Sequence, residues 1–343
     1  MSDIVEAEVL PPWLAAQRTA LLGQRGHAWL LQGPSGLGQY SLALELVRAW
    51  LCDRFDGSAE SVARGACGEC GSCHAIDVHA HADLCVLMPE TAMIDLGWPL
   101  AEKAQSDIDD KKRKASKEIR VEAMRDAVEF SQRTSARGRG KAVLVYPAER
   151  MNHVTANALL KTLEEPPGDV KFVLATGAAH QLLPTIRSRC MGHNMAWPDT
   201  ADALQWLQAQ DVAAVDAATL LSAAGGRPDD ALKMARGGQS ARTWALVPKA
   251  VARGDVTVFA DWAMAQVVDA LQKLCHDLLV VHSGAVPRFF ADADLPPAAS
   301  MHALTRWSKE LGATVRVVEH PFNSGLMLET LVSRAQTALN SKR

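Results

Sequence analysis

Residues 27–40 read HAWLLQGPSGLGQY, and this stretch decides the fold. His27–Gln32 is a short apolar run of strand length. Gly33–Gly38 is a glycine-rich turn, and Ser41–Cys52 carries helical spacing through Leu42, Leu46, Val47 and Trp50. Strand, glycine loop and helix in that order is the setting a phosphate-binding loop requires. In a working loop the glycines let backbone N–H groups cradle phosphate, a Lys reaches the β/γ-phosphates and a Ser or Thr holds Mg²⁺. Here Gly33, Gly36 and Gly38 are present, but Gln39 stands at the Lys position and Tyr40 at the Ser/Thr position. Gln has no charge, and a tyrosine ring cannot take the small hydroxyl's place on the metal. The expectation is a degenerate loop that binds nucleotide weakly or not at all and does not hydrolyse it.

Further along the chain, Trp13–Leu22 has a helical pattern, and Ala82–Leu87, Lys141–Tyr146 and Val170–Thr176 are further strand candidates. Val121–Gln132 and Asn152–Glu165 have helical patterns, the second ended by Pro166-Pro167-Gly168. Residues 89–117 look irregular. Strands alternating with helices predict a mostly parallel α/β sheet up to about residue 195. Beyond Pro198 only helical patterns occur, punctuated by Gly225-Gly226, Pro228, Gly237-Gly238, Gly254 and Pro296-Pro297.

The 343 residues, 48% hydrophobic and 22% charged, exclude a long disordered chain and leave ample material for two or three domains. The net charge of −3 excludes a general polycation, so nucleic-acid contact would need a local patch. Lys111–Lys117 and Arg133–Lys141 are such patches, although a charge run is more often a solvated face. No apolar run reaches membrane-spanning length, and Asp3, Glu6 and Glu8 without a basic, apolar leader point to a cytoplasmic protein. Three of the seven cysteines follow the spacing Cys67-x2-Cys70-x2-Cys73, which suits tetrahedral Zn²⁺ in a closed, structural site. Cys52, His74, His79, His81 and Cys85 compete for the fourth place. Cys190 and Cys275 read as core or interface residues, and Trp13, Trp29 and Trp50 as core.

The run Asn157-Ala158-Leu159-Leu160-Lys161-Thr162-Leu163-Glu164-Glu165-Pro166-Pro167 is long and distinctive. It is followed by Leu174-Ala175-Thr176 and by Leu183-Pro184-Thr185-Ile186-Arg187-Ser188-Arg189-Cys190. Together these motifs resemble the bacterial clamp-loader branch of the AAA+ ATPases, over roughly residues 10–235, with the C-terminal third alike only in layout. The resemblance implies a RecA-like AAA+ domain (1–197) with a zinc module (52–73), a small helical lid (198–240) and an all-α collar or oligomerisation domain (241–343). It also favours Cys52 as the fourth zinc ligand.

The family's ATPases carry an acidic pair before the NALLKTLEEPP helix, and these positions are Tyr146 and Pro147 here, with Glu149 the nearest carboxylate. The γ-phosphate-sensing Arg of the second domain is matched by Asp229, beside Arg227, and Thr176 falls at the other sensor position. The family's arginine finger, which acts in trans on a neighbouring subunit's ATP site, matches Arg189. An altered site with an intact finger resembles a non-hydrolysing stator of the DNA polymerase III clamp loader, a part of the DNA-directed DNA polymerase holoenzyme. The resemblance implies gamma/tau ATPases and delta as ring partners, with the sliding clamp and primed DNA reached through the complex. Two rival readings are an active motor subunit and a zinc-dependent nucleic-acid-binding module.

Overall fold

The structure, a computed structural model, describes residues 10–297, 300–318, 320 and 323–341, so Asp3, Glu6 and Glu8 lie outside the described residues. The chain divides into two compact units, Met1–Pro198 and Asp199–Arg343.

The first unit holds β1 (Ala28–Gln32), β2 (Leu84–Leu87), β3 (Lys141–Val145), β4 (Val170–Thr176) and β5 (Met191–Asn194). They form one sheet in the order β2-β3-β4-β1-β5, and every neighbouring pair is parallel. Leu30 lies opposite Leu174 on one side and Gly192 on the other, which fixes β1 at the centre of its register. β3 is buried along its whole length and β4 at all but one position. Such continuous apolar runs are what a parallel sheet covered on both faces selects.

The helices of this unit are α1 (Pro12–Leu22), α2 (Gln39–Leu51), α3 (Ala59–Arg64), α4 (Gly71–Asp77), α5 (Glu90–Asp95), α6 (Glu102–Asp109), α7 (Val121–Gln132), α8 (His153–Glu164) and α9 (Pro184–Arg187). Met124 and Ala127 of α7, Leu159 and Leu163 of α8 and Ile186 of α9 share one core with Leu30, Val143 and Phe172 of the sheet. α2 packs on β1, β3 and β4, with α1 beside it. Trp13, Trp29 and Trp50 are buried as expected, the last two with ring centroids 4.8 Å apart. The Asn152 side chain caps α8 by accepting from the Thr155 N–H, and the helix stops just before Pro166-Pro167.

Three features differ from the sequence expectation. Residues 89–117, expected to be irregular, contain α5 and α6. They are short, and α6 buries none of its residues, so it has no apolar stripe to reveal it. The cysteine-rich stretch contains α3 and α4. β5 (Met-Gly-His-Asn) is a mostly exposed edge strand with no apolar run.

The second unit contains α10 (Thr200–Ala209), α11 (Ala214–Ala223), α12 (Pro228–Arg236), α13 (Ala241–Arg253), α14 (Met264–His282), α15 (Met301–Val315) and α16 (Ser324–Leu339), with no strand among the described residues. The breaks at Gly225-Gly226 and Gly237-Gly238 fall between helices, as their composition predicts. One core gathers Leu207, Leu220 and Leu232 from α10–α12. Another gathers Trp244, Leu271, Leu304 and Val332 from α13–α16. Asp277 of α14 is fully buried and accepts the N–H groups of Arg288, Phe289 and Phe290, pinning the segment after that helix. No described helix is long and apolar enough to cross a membrane.

Candidate functional site

The glycine loop runs from the end of β1 into α2, where the motif places it. Gly36 and Gly38 adopt φ of 82° and 86°. A Cβ on Gly38 would also lie 2.5 Å from a Leu14 methyl, so a larger residue there would strain the backbone and displace that buried side chain. Gln39 is 4% exposed and turned back into the loop. Its Nε2 donates to the carbonyls of Gly33 (3.1 Å) and Pro34 (2.5 Å), and its Oε1 accepts the Leu37 N–H at 3.3 Å. A backbone donor of the kind that cradles phosphate is thus taken by the loop's own side chain.

Tyr40 occupies the metal-holding position. Its hydroxyl accepts from Trp98 Nε1 at 2.6 Å, and its ring lies 5.4 Å from that of Tyr146. Burial pushes the Tyr40 hydroxyl above its ordinary value, so it stays neutral and supplies no anionic ligand. Tyr146 and Pro147 follow directly after β3, so no carboxylate stands at that strand end. Glu149, on a short 3-10 turn, turns to β4 instead. It accepts from Thr176 Oγ1 at 2.7 Å and from the Gly177 N–H at 3.1 Å. A Cβ placed on Gly177 would sit 3.3 Å from Glu149 Oε1 and 3.5 Å from the Ser35 nitrogen, so this carboxylate stands beside the loop. There both of its oxygens are engaged, by the Thr176 hydroxyl and the Gly177 N–H. Thr176, read above as a sensor position, is a partner of Glu149.

In the second unit, Asp229 lies in the first turn of α12, where an acid complements the helix dipole. Arg227 Nε is paired with Asp230 at 2.8 Å.

Arg189 follows α9 and is part-exposed. Its Nε donates to Glu164 Oε1 at 2.6 Å, Nη2 pairs with the same carboxylate, and Nη1 donates to the Thr185 carbonyl at 2.8 Å. Arg189 thus has intramolecular partners, Glu164 on the helix carrying the NALLKTLEEPP motif and Thr185 on α9.

The cysteines form a second site. The Sγ atoms of Cys52, Cys67, Cys70 and Cys73 all lie within 4.8 Å of one another, and His74, His79, His81 and Cys85 are not in the cluster. The Cys67–Cys73 and Cys52–Cys70 sulfur separations are 4.0 and 3.9 Å. Four thiolates at about 2.3 Å around Zn²⁺ stand about 3.8 Å apart, so the set fits a tetrahedral ion with little adjustment. The local structure explains the arrangement. Cys52 ends α2, Cys70 caps α4 by accepting the Cys73 N–H, and the Cys67 N–H points at Cys52 Sγ at 3.4 Å. Burial acts to raise the Cys67 thiol, but backbone donors from Glu69 and Cys70 and the neighbouring thiols outweigh it and hold it at about 6. Burial pushes Cys52 and Cys73 up. Cys190 and Cys275 are each pushed up to about 12 by burial, in keeping with core thiols.

The basic stretch 133–141 is largely spent inside the molecule. Arg137 contacts Ser72 and Asp53, Arg139 donates to the carbonyls of Cys52 and Phe55, and Arg133 pairs with Glu129. The Arg137 and Arg139 contacts tie the cysteine module to the loop that leads into β3. In the other stretch, Arg113 forks onto Glu90 and Lys112 pairs with Asp110.

Asp83, fully buried before β2, anchors the 133–141 loop by accepting the N–H groups of Ala136 and Arg137 and the Ser135 hydroxyl. Lys141, 6% exposed, lies 3.6 Å away. Burial alone would raise the Asp83 carboxyl, but these donors and the Lys141 charge hold it below its ordinary value. A carboxyl depressed on folding contributes stability above its unfolded pKa of about 3.9 and loses it as pH falls through the folded value. Asp83→Ala is therefore expected to cost about 3–5 kcal/mol at pH 7, by leaving Lys141 and two N–H groups uncompensated. The gap to wild type should close as the pH of denaturant melts drops below about 4. An equal gap at pH 7 and pH 3 would show that the carboxylate charge is not what matters.

Residues 15–198, more than half of the chain, match the family model described as DNA polymerase III, delta subunit. A Pseudomonas aeruginosa protein named DNA polymerase III subunit delta' is 38% identical over 221 residues, which is 63% of this chain and 58% of that protein. A Yersinia pestis protein of the same name is 36% identical over 204 residues, 58% of this chain and 52% of its own length. A Salmonella typhimurium DNA polymerase III subunit tau is 33% identical over 170 residues, 50% of this chain and 22% of that protein. The matched stretch thus spans a little over half the length of the delta' relatives. The parallel sheet, the loop opening α2 and the extent of the match agree, and the chain belongs to the family described as DNA polymerase III, delta subunit, with proteins named delta' among its relatives.

Proposed function

We propose that this chain is a non-hydrolysing stator of the DNA polymerase III clamp loader, helping to place the sliding clamp on primed DNA in the cytoplasm. In this reading residues 1–197 form the RecA-like domain, 198–240 the lid and 241–343 the collar that joins the ring. The gamma/tau ATPases and delta are its ring partners. Cys52, Cys67, Cys70 and Cys73 hold a structural Zn²⁺. Arg189 is the finger placed in trans at a neighbouring ATP site, where a guanidinium stabilises charge developing on the transferred phosphoryl group.

The observation that carries the reading is the Gln39 amide, which takes up the Leu37 N–H and two carbonyls of the loop. With Gln39 at the Lys position and Tyr40 packed on Tyr146 at the hydroxyl position, the loop lacks both the cation that meets the γ-phosphate and the small hydroxyl that holds Mg²⁺ in the working motif. The isolated chain is expected to show no ATP turnover above background, yet to enter a stable complex with gamma/tau and delta on gel filtration. Turnover by the chain alone would make it a motor subunit. Salt-sensitive DNA binding by the chain alone, lost on zinc removal, would make it a nucleic-acid-binding module.

A further inference from the structure

We infer that Glu164 is a positioning residue for Arg189, holding the guanidinium so that its remaining N–H groups are presented outward before a partner arrives. The inference rests on the finger reading of Arg189 and adds to it a residue that acts from the same chain. Glu164 is the last residue of α8. An acid at a helix C-terminus faces the negative end of the dipole, so the helix itself gives no reason for a carboxylate there. Its partner gives one. Oε1 accepts from both Nε and Nη2 of Arg189, while the Thr185 carbonyl takes an Nη1 hydrogen. A guanidinium has five N–H donors in a rigid planar fork. Three are used within the chain, which leaves one hydrogen on each terminal nitrogen, a pair suited to the oxygens of a phosphoryl group. The Arg189 side chain keeps 28% of its surface exposed, so that end is reachable.

The support beneath the pair is rigid. Leu163, beside Glu164, and Ile186, at the centre of α9, are 1% and 0% exposed and share one core. Packing therefore fixes the backbone under both residues, and the hydrogen bonds to Glu164 and Thr185 hold the guanidinium on it. A long side chain held in its working geometry loses less freedom when the phosphate is engaged. Glu164 should therefore act on the rate of the chemical step, with little effect on how tightly the neighbour binds ATP.

The test uses the reconstituted loader with clamp and primed DNA, and compares Glu164→Ala, Glu164→Gln, Arg189→Ala and the double variant Glu164→Ala/Arg189→Ala. Glu164→Ala is expected to lower kcat by roughly ten-fold with KM for ATP unchanged, a change in transition-state stabilisation only. Glu164→Gln, which keeps the shape and one acceptor oxygen, should recover part of the loss. The double variant should be no slower than Arg189→Ala, because Glu164 acts only through that arginine. Three results would overturn the inference: wild-type kcat in both Glu164 variants, a raised kcat, which would mean the carboxylate restrains the finger, or losses that multiply in the double variant. If Arg189→Ala itself leaves turnover unchanged, the finger reading falls and this inference falls with it. If Arg189→Ala is slow while the Glu164 variants are not, only the inference falls. Should Glu164→Ala fail to enter the complex, the Glu164→Gln kcat decides, since that variant preserves packing.

Discussion

Arg189→Ala in a reconstituted loader is expected to lower single-turnover ATP hydrolysis at the neighbouring site by about 10³-fold or more, with the complex intact on gel filtration. Arginine fingers supplied in trans contribute about 10³–10⁵ in rate because a fixed, weakly hydrated cation meets charge that develops only in the transition state. Arg189→Lys should rescue poorly, since an ammonium is a single compact charge that cannot reproduce the planar fork. The folded chain itself should tolerate the change. The Arg189–Glu164 pair is part-exposed, and such pairs contribute at most about 1 kcal/mol. A loss of turnover without a loss of melting temperature is therefore the expected pattern. Unchanged turnover would make Arg189 a structural partner of Glu164 and leave the chain as a scaffold.

Removing the metal from the cysteine cluster should have the second largest effect. Purified wild-type protein should carry about one zinc per chain by elemental analysis, and Cys70→Ser should lose it. Structural zinc binding in small domains is worth about 10–16 kcal/mol, so losing one of four thiolates is felt as local unfolding rather than as a small change in affinity. The consequence should spread in a defined direction. Arg139 donates to the carbonyl of Cys52, and Arg137 reaches Ser72, so loosening of residues 52–73 should expose the 133–141 loop to proteolysis and amide exchange. Metal-free protein as isolated, with four readily titratable thiols at Cys52, Cys67, Cys70 and Cys73, would remove the zinc assignment. An unchanged 133–141 loop in the zinc-free variant would separate the module from the sheet.

Those two residue sets were legible in the sequence for different reasons. The Cys67-x2-Cys70-x2-Cys73 spacing encodes local geometry, because two intervening residues bring successive thiols to one side of a tight turn. The fourth position was not local, and spacing alone left five candidates. Packing at the end of α2 brings Cys52 to the cluster and leaves His74, His79, His81 and Cys85 outside it. Similarly, loss of charge at Gln39 is plain from its identity, whereas its inward turn to Gly33, Pro34 and Leu37 appears only once the loop is folded.

The same division holds for the chain as a whole. Periodicity and punctuation suffice for the four apolar strands, for α7, for the stop of α8 at Pro166-Pro167 and for the helical character after Pro198, because each depends on neighbours a few residues away. Edge and surface elements without an apolar signal, β5, α5 and α6, are stabilised by what they pair with or lie against, and their own residues carry little trace of it. Pairings across long separations belonged to the tertiary structure alone: Glu164 with Arg189, Asp83 with the 133–141 loop and Glu149 with Thr176. A charged side chain's partner is set by which elements the core brings together, and a one-dimensional pattern of charges does not contain that information.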